Sequence, residues 1–149
     1  INDVKNDKIK IDLQIKNRTK NVQGDKDELF QVLQNLLENA IRYGGKKCEV
    51  IISLRQAETR PANLPKNSWP AVCIEVSDNG PGIDKIHLGR LTERFYRVDT
   101  SRSKEIGGTG LGLAIVKHIV NRHRGCLVIE SEPSIGSKFS VYLREYKTK

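Results

Sequence analysis

The chain has 149 residues, of which 37% are apolar and 30% charged, with a formal net charge of +8. That length suits one domain able to bury a proper core, and the composition is that of an ordinary soluble globular protein. No apolar run approaches the ~20 residues of a transmembrane helix, which excludes a helical membrane domain.

From Lys8 to Ile15 the sequence alternates, with Ile9, Ile11, Leu13 and Ile15 on one face. That period predicts a half-buried strand. Asp25, with Glu28 three residues on, marks a helix start of capping-box type. The helix predicted over 26–43 has a broad apolar face of Leu29, Val32, Leu33, Leu36, Leu37, Ala40 and Ile41. Gly44-Gly45 ends it. Its opposite stripe gathers Gln31, Asn35, Glu38, Asn39 and Arg42. A solvated face with a Glu38–Arg42 pair at i,i+4 is one reading of that stripe. The other is a metal or phosphate site, because two amide oxygens on adjacent turns can meet one hard cation.

Residues 48–54 are strand-like, and 56–70, with three prolines, reads as a solvent-exposed connection without a functional site. A further strand over 71–76 runs into Ser77-Asp78-Asn79-Gly80-Pro81-Gly82-Ile83-Asp84. An ordinary tight turn accounts for this stretch. So does a pocket floor in which a buried Asp78 carboxylate accepts an exocyclic amine and Gly82 lets a ring approach the backbone.

A short helix is expected over 84–97, with Ile86, Leu88, Leu91 and Phe95 partly buried. Residues 98–106 are polar, charged and aperiodic, and read as a mobile lid. Four glycines within Gly107-Gly108-Thr109-Gly110-Leu111-Gly112 then feed into an apolar helical pattern on Leu111, Ala114, Ile115 and Ile119. Glycines ahead of a helix N-terminus make a phosphate site, although the spacing is neither the dinucleotide fingerprint nor a P-loop. His118 and His123 are expected to be cations at that helix's C-terminal end. Strands over 126–130 and 138–143, joined by a turn at 133–137, complete the chain.

Cys48, Cys73 and Cys126 are odd in number, lack CxxC spacing and fall in strand-like segments, so they read as reduced, buried residues of a cytosolic domain. The basic residues are scattered and the aromatics show no stacking pattern, so no nucleic-acid partner is expected. With no methionine anywhere, the chain is expected to be a piece of a longer protein.

Taken together, these segments resemble the catalytic, ATP-binding domain of sensor histidine kinases of two-component systems. Asn35-Leu36-Leu37-Glu38-Asn39-Ala40-Ile41-Arg42-Tyr43 is similar to the family's N box, and Asp78-Asn79-Gly80-Pro81-Gly82-Ile83 to its first glycine box. Glu93-Arg94-Phe95-Tyr96-Arg97 resembles the F box and Gly108-Thr109-Gly110-Leu111-Gly112-Leu113 the second glycine box. Gly136-Ser137-Lys138-Phe139 is similar to a weaker final motif.

The resemblance implies a two-layer α/β sandwich of Bergerat type: a mixed five-stranded sheet, three main helices on one face, and an ATP lid. It implies ATP and Mg²⁺ as cofactors, with Asn35 and Asn39 holding the metal and Arg42 reaching phosphate. Tyr43 would line the adenine or ribose, Asp78 would accept from the adenine amine, and Gly80, Gly82 and Ile83 would lie by the ring. Gly108, Thr109, Gly110, Leu111, Gly112 and Leu113 would surround the phosphates. Arg97 would act on the γ-phosphate, and Phe95 would anchor the lid. For Glu38, polarising the attacking group and a plain pair with Arg42 stand as alternatives.

The implied partners are the dimerisation domain carrying the phospho-accepting histidine, in a homodimeric parent, and a downstream response regulator. None of His87, His118 or His123 lies in an acceptor context. Three rivals are set against this reading. One is an ATPase of gyrase or chaperone type or a serine kinase regulating sigma factors, where a glutamate stands at the position of Asn35. The others are a basic nucleic-acid-binding domain and a degenerate interaction module.

Overall fold

A computed structural model describes residues 9–16, 21–45, 47–98 and 110–147. Strands β1 (Lys10–Ile15), β2 (Asn21–Val22), β3 (Glu49–Gln56), β4 (Ala71–Asp78), β5 (Cys126–Glu132) and β6 (Gly136–Tyr146) form one open mixed sheet. The order is β1-β3-β4-β6, with β5 and the short β2 sharing the far edge of β6. Only β1 and β3 run parallel. The helices are α1 (Lys26–Tyr43), the single turn α2 (Lys85–Leu88) and α3 (Gly112–Arg122). The architecture is the expected two-layer sandwich, with β2 as a sixth strand too short to carry a period.

Strand alternation sends Val50, Val76, Phe139, Val141 and Leu143 to one face of the sheet. There they meet Val32, Leu36 and Ala40 of α1 and Val116, Ile119 and Val120 of α3 in the main core. The opposite face is not bare. Ala57 and Leu64, from the connection between β3 and β4, are buried with Ala71, Cys73 and Cys126 in a second cluster, and Trp69 and Tyr142 pack against it. The 56–70 segment is therefore a packed cover for the outer face and not a solvent-exposed connection. Its one-off apolar residues carry no period to announce this. All three cysteines are buried and unpaired, and burial pushes the Cys126 thiol up to about 11.

Three local expectations are corrected. Strand β1 is exposed along its whole length, with Ile11, Leu13 and Ile15 each at least half exposed. Its alternation is real, but α1 and α3 cover the central strands, and Ile9 alone of that apolar row packs on the core. At the start of α1, Asp25 caps the N–H of Glu28 at 2.9 Å, but the return half of the capping box is missing. Glu28 instead pairs with Arg122 at 2.6 Å, and His123 Nε2 accepts the Asp25 N–H at 3.0 Å. His123 Nδ1 lies 2.8 Å from the Ile119 carbonyl, to which it must donate. One ring nitrogen accepting and the other donating describes a neutral imidazole, not a C-terminal cation. His123 thereby ties the end of α3 to the start of α1.

Candidate nucleotide site

The site lies at one end of the α1–α3 pair, where β4 runs out. A cavity of about 600 Å³ opens there. Its walls bring together Asn35, Glu38, Asn39, Arg42 and Tyr43 from α1, Asp78, Gly82 and Ile83 from the end of β4, and Arg97, Gly110, Gly112 and Leu113. Gly80 and Leu111 are not on the wall. Gly108 and Thr109 lie outside the described residues, as does the expected lid apart from Val98.

The helical period explains the α1 stripe. Apolar positions turn toward the sheet, and the polar positions on the flank nearest α3 are left facing the cavity. Asn35 donates from its amide to the carbonyl of Gly112 at 3.4 Å, which links the two helices at the cavity's edge. Glu38 accepts from Gln34 at 3.3 Å and makes no ion pair with Arg42. The plain-pair alternative is thus not what this conformation adopts.

Asp78 closes β4. Burial pushes its carboxyl above the ordinary carboxylate range, partly offset by hydrogen bonds from the backbone N–H groups of Gly80 and Ser137. The Gly80 bond is 2.9 Å long. Gly80 therefore works from behind the wall, holding the carboxylate. The next turn is pinned to the β5–β6 hairpin: Ser131 Oγ accepts the N–H of Ile83 at 2.7 Å, and Pro81 accepts from the N–H of Ser134 at 2.7 Å. Gly82 has φ +71, and a Cβ there would lie 2.1 Å from the carbonyl oxygen of Glu132. The close approach that demands glycine is to the protein's own backbone.

The helix expected over 84–97 is reduced to α2. Beyond Leu88 the chain proceeds by turns, and Phe95 adopts φ +64. Its ring and Ile86 are exposed, while Leu91 is buried. What Phe95 anchors, it anchors through its backbone. Its N–H donates to the carbonyl of Gly110 at 2.9 Å, and a Cβ on Gly110 would lie 2.9 Å from the Phe95 Cα. Residues 95 and 110 are thereby clasped, bringing the two ends of the intervening segment together.

Sequence reasoning passed over several wall residues. Leu91, Ile115 and Phe139 supply apolar surface, and Tyr96 and Ser137 supply hydroxyls. Ser137 pairs with Asp78 across β4 and β6, a juxtaposition only the sheet register reveals. Among the described residues, no cluster of three His, Cys, Asp or Glu side chains could hold a metal. Amide oxygens from Asn35 and Asn39 are hard donors suited to a cation that brings phosphate oxygens as its other ligands.

A family model described as "Histidine kinase-, DNA gyrase B-, and HSP90-like ATPase" matches residues 24–147. The chain belongs to that family. It is 45% identical over 121 residues to the phosphate regulon sensor protein PhoR of Pseudomonas aeruginosa, covering 81% of this chain and 25% of PhoR. It is 42% identical over 125 residues to the sensor-like histidine kinase SenX3 of Mycolicibacterium smegmatis, covering 84% of this chain and 30% of SenX3. Among solved structures, the mycobacterial sensor histidine kinase MprB matches with a TM-score of 0.76 at 27% identity, covering 94% of this chain and 86% of that one. The chain thus spans 25–30% of the length of these two curated relatives. No described helix is long and apolar enough to cross a membrane.

In this ATPase family a nucleotide is the expected occupant, and Gly112 fits one. A Cβ at Gly112 would meet nothing within 4 Å among the described residues, and its φ is not in the left-handed region. The protein's own packing therefore does not require glycine at this wall position. Gly112→Ala is expected to leave the fold intact, with Tm unchanged or raised, because alanine is favoured over glycine in a helix by up to ~1 kcal/mol. The same variant should weaken ATP binding, because the added methyl occupies ligand space. Calorimetry with and without ATP checks both halves.

Proposed function

We propose that this chain binds MgATP and donates the γ-phosphoryl group to a histidine of its parent sensor kinase. The observation that carries this reading is one cavity joining the paired asparagines of α1, the half-buried Asp78 and the glycine turn before α3. Asn35 and Asn39 would hold Mg²⁺, which when bound neutralises phosphate charge. Arg42 and Arg97 add positive charge on the same walls, and the backbone around Gly110 and Gly112 lies where a helix N-terminus favours phosphate. Asp78 would select adenine by accepting its amine, with Ile83, Leu91 and Leu113 packing the ring. Positioning and charge neutralisation supply most of what phosphoryl transfer needs from a protein.

Asn35 favours the kinase reading over an ATP-hydrolysing one. An amide cannot take the proton of an attacking water, a task the glutamate performs in the gyrase and chaperone branch. A response regulator would receive the phosphoryl group downstream, and the catalytic domain would act in the cytoplasm of a homodimeric parent.

ATP should bind more tightly with Mg²⁺ than with a chelator, and Asn39→Ala should remove most of that difference. Equal calorimetric affinity with and without metal would remove the basis for the two-asparagine site.

A further inference from the structure

We propose that His87 is a positioning residue of the nucleotide site, acting through the hydroxyl of Tyr96; this rests on the cavity being the MgATP site. Tyr96 lies on the cavity wall and is followed by Arg97, also on the wall. Neither belongs to a helix or strand, and the residue before them is in a left-handed conformation. Secondary structure therefore does not fix where Tyr96 points. Tertiary ties must do so.

Those ties converge on one side chain. His87 Nδ1 lies 2.5 Å from the Tyr96 hydroxyl, a short hydrogen bond between two half-buried groups, in which either can donate. The guanidinium of Arg90 sits 4.5 Å from the centre of the Tyr96 ring, within cation–π range. Arg90 is in turn held by Glu93 at 3.2 Å. The Arg90–Glu93 pair is exposed, so it contributes little by itself. His87 differs because it stands on α2, which packs against β5 and so refers Tyr96 to the sheet. The imidazole fixes the far end of the phenol, and the ring direction carries the Arg97 backbone with it.

The test is a double-mutant cycle on binding of a non-hydrolysable ATP analogue, with Tm followed in parallel. His87→Ala and Tyr96→Phe should each weaken binding roughly three- to tenfold, the worth of one net hydrogen bond. The double variant should be no weaker than either single one. His87→Asn, which can place a hydrogen-bonding atom near the Nδ1 position, should recover at least half of the loss. Additive losses in the double variant, or unchanged affinity in Tyr96→Phe, would overturn the proposal. If His87→Ala does not fold, Tyr96→Phe and His87→Asn decide it, because both keep the size of the parent side chain closely. A parent chain that fails to bind the analogue would instead overturn the MgATP reading, so the two failures are told apart.

Discussion

Asp78→Asn is expected to bind ATP roughly tenfold to a hundredfold more weakly than the parent chain, the range for losing a charge-assisted hydrogen bond of ~1–3 kcal/mol. Without nucleotide it should unfold at the same or a higher temperature. The two outcomes have one cause. Burial raises the Asp78 carboxyl above its ordinary value, so near neutral pH the folded chain carries an ionised group that would sit more comfortably in water. A carboxylate whose folded pKa lies above its unfolded one lowers stability at every pH above the folded value. That deficit shrinks as the pH falls from the folded value to the unfolded one. Asparagine has no such deficit and can still accept from the Gly80 N–H. Thermal melts of the two proteins without nucleotide should therefore differ most near neutrality and converge on acidification. GTP, which presents a carbonyl where adenine has its amine, should be rejected by the parent. Equal affinity for ATP and GTP would remove Asp78 from base selection.

How much of this was legible in the sequence depends on whether a residue's role follows from local period or from register. The α1 stripe was legible: an 18-residue helix fixes its own faces, so the spacing of Asn35, Asn39 and Arg42 is enough to put them on one side. The five longer strands were legible too, and so was the turn after Asp78. What escaped was set by chain segments meeting across the fold. Ser137 reaches Asp78 only because β6 pairs with β4 in one particular register. Gly82 faces the Glu132 carbonyl, a neighbour about fifty positions away, so the reason for that glycine could not be read locally. His123 read as a cation because it follows a helix, yet its Nε2 accepts from the backbone of Asp25, 98 positions away in the chain. The helix over 84–97 failed for the same reason. Its apolar spacing suggested a period, but the helix stops at Leu88 ahead of Gly89, and farther on the clasp with Gly110 holds Phe95 in a left-handed conformation that no helix accommodates.

Arg97→Ala is expected to slow phosphoryl transfer by roughly 10²–10³ while weakening ATP binding far less, the pattern of a charge that acts mainly as the transition state forms. The parent chain, incubated alone with ATP, should become phosphorylated very little and hydrolyse ATP slowly. It has no acid at position 35 to activate water, and no histidine in an acceptor setting. Supplied with the dimerisation segment of its own parent protein, it should transfer the γ-phosphoryl group to a histidine there, though slowly, because two separate pieces lose the effective concentration of a covalent link. The product should be acid-labile and alkali-stable, as a phosphoramidate is. Glu38→Gln is the companion variant. Glu38 lines the cavity, accepts from Gln34 and makes no ion pair with Arg42, so the variant tests the proposed role of its carboxylate in polarising the attacking group. Losing a general base costs roughly 10²–10⁴ in rate. Glu38→Gln should therefore abolish most transfer with ATP affinity nearly unchanged, whereas a merely structural carboxylate would give unchanged transfer. Rapid ATP turnover by the isolated chain, or an acid-stable phosphoserine on a partner, would instead move it to the ATPase or serine-kinase branch.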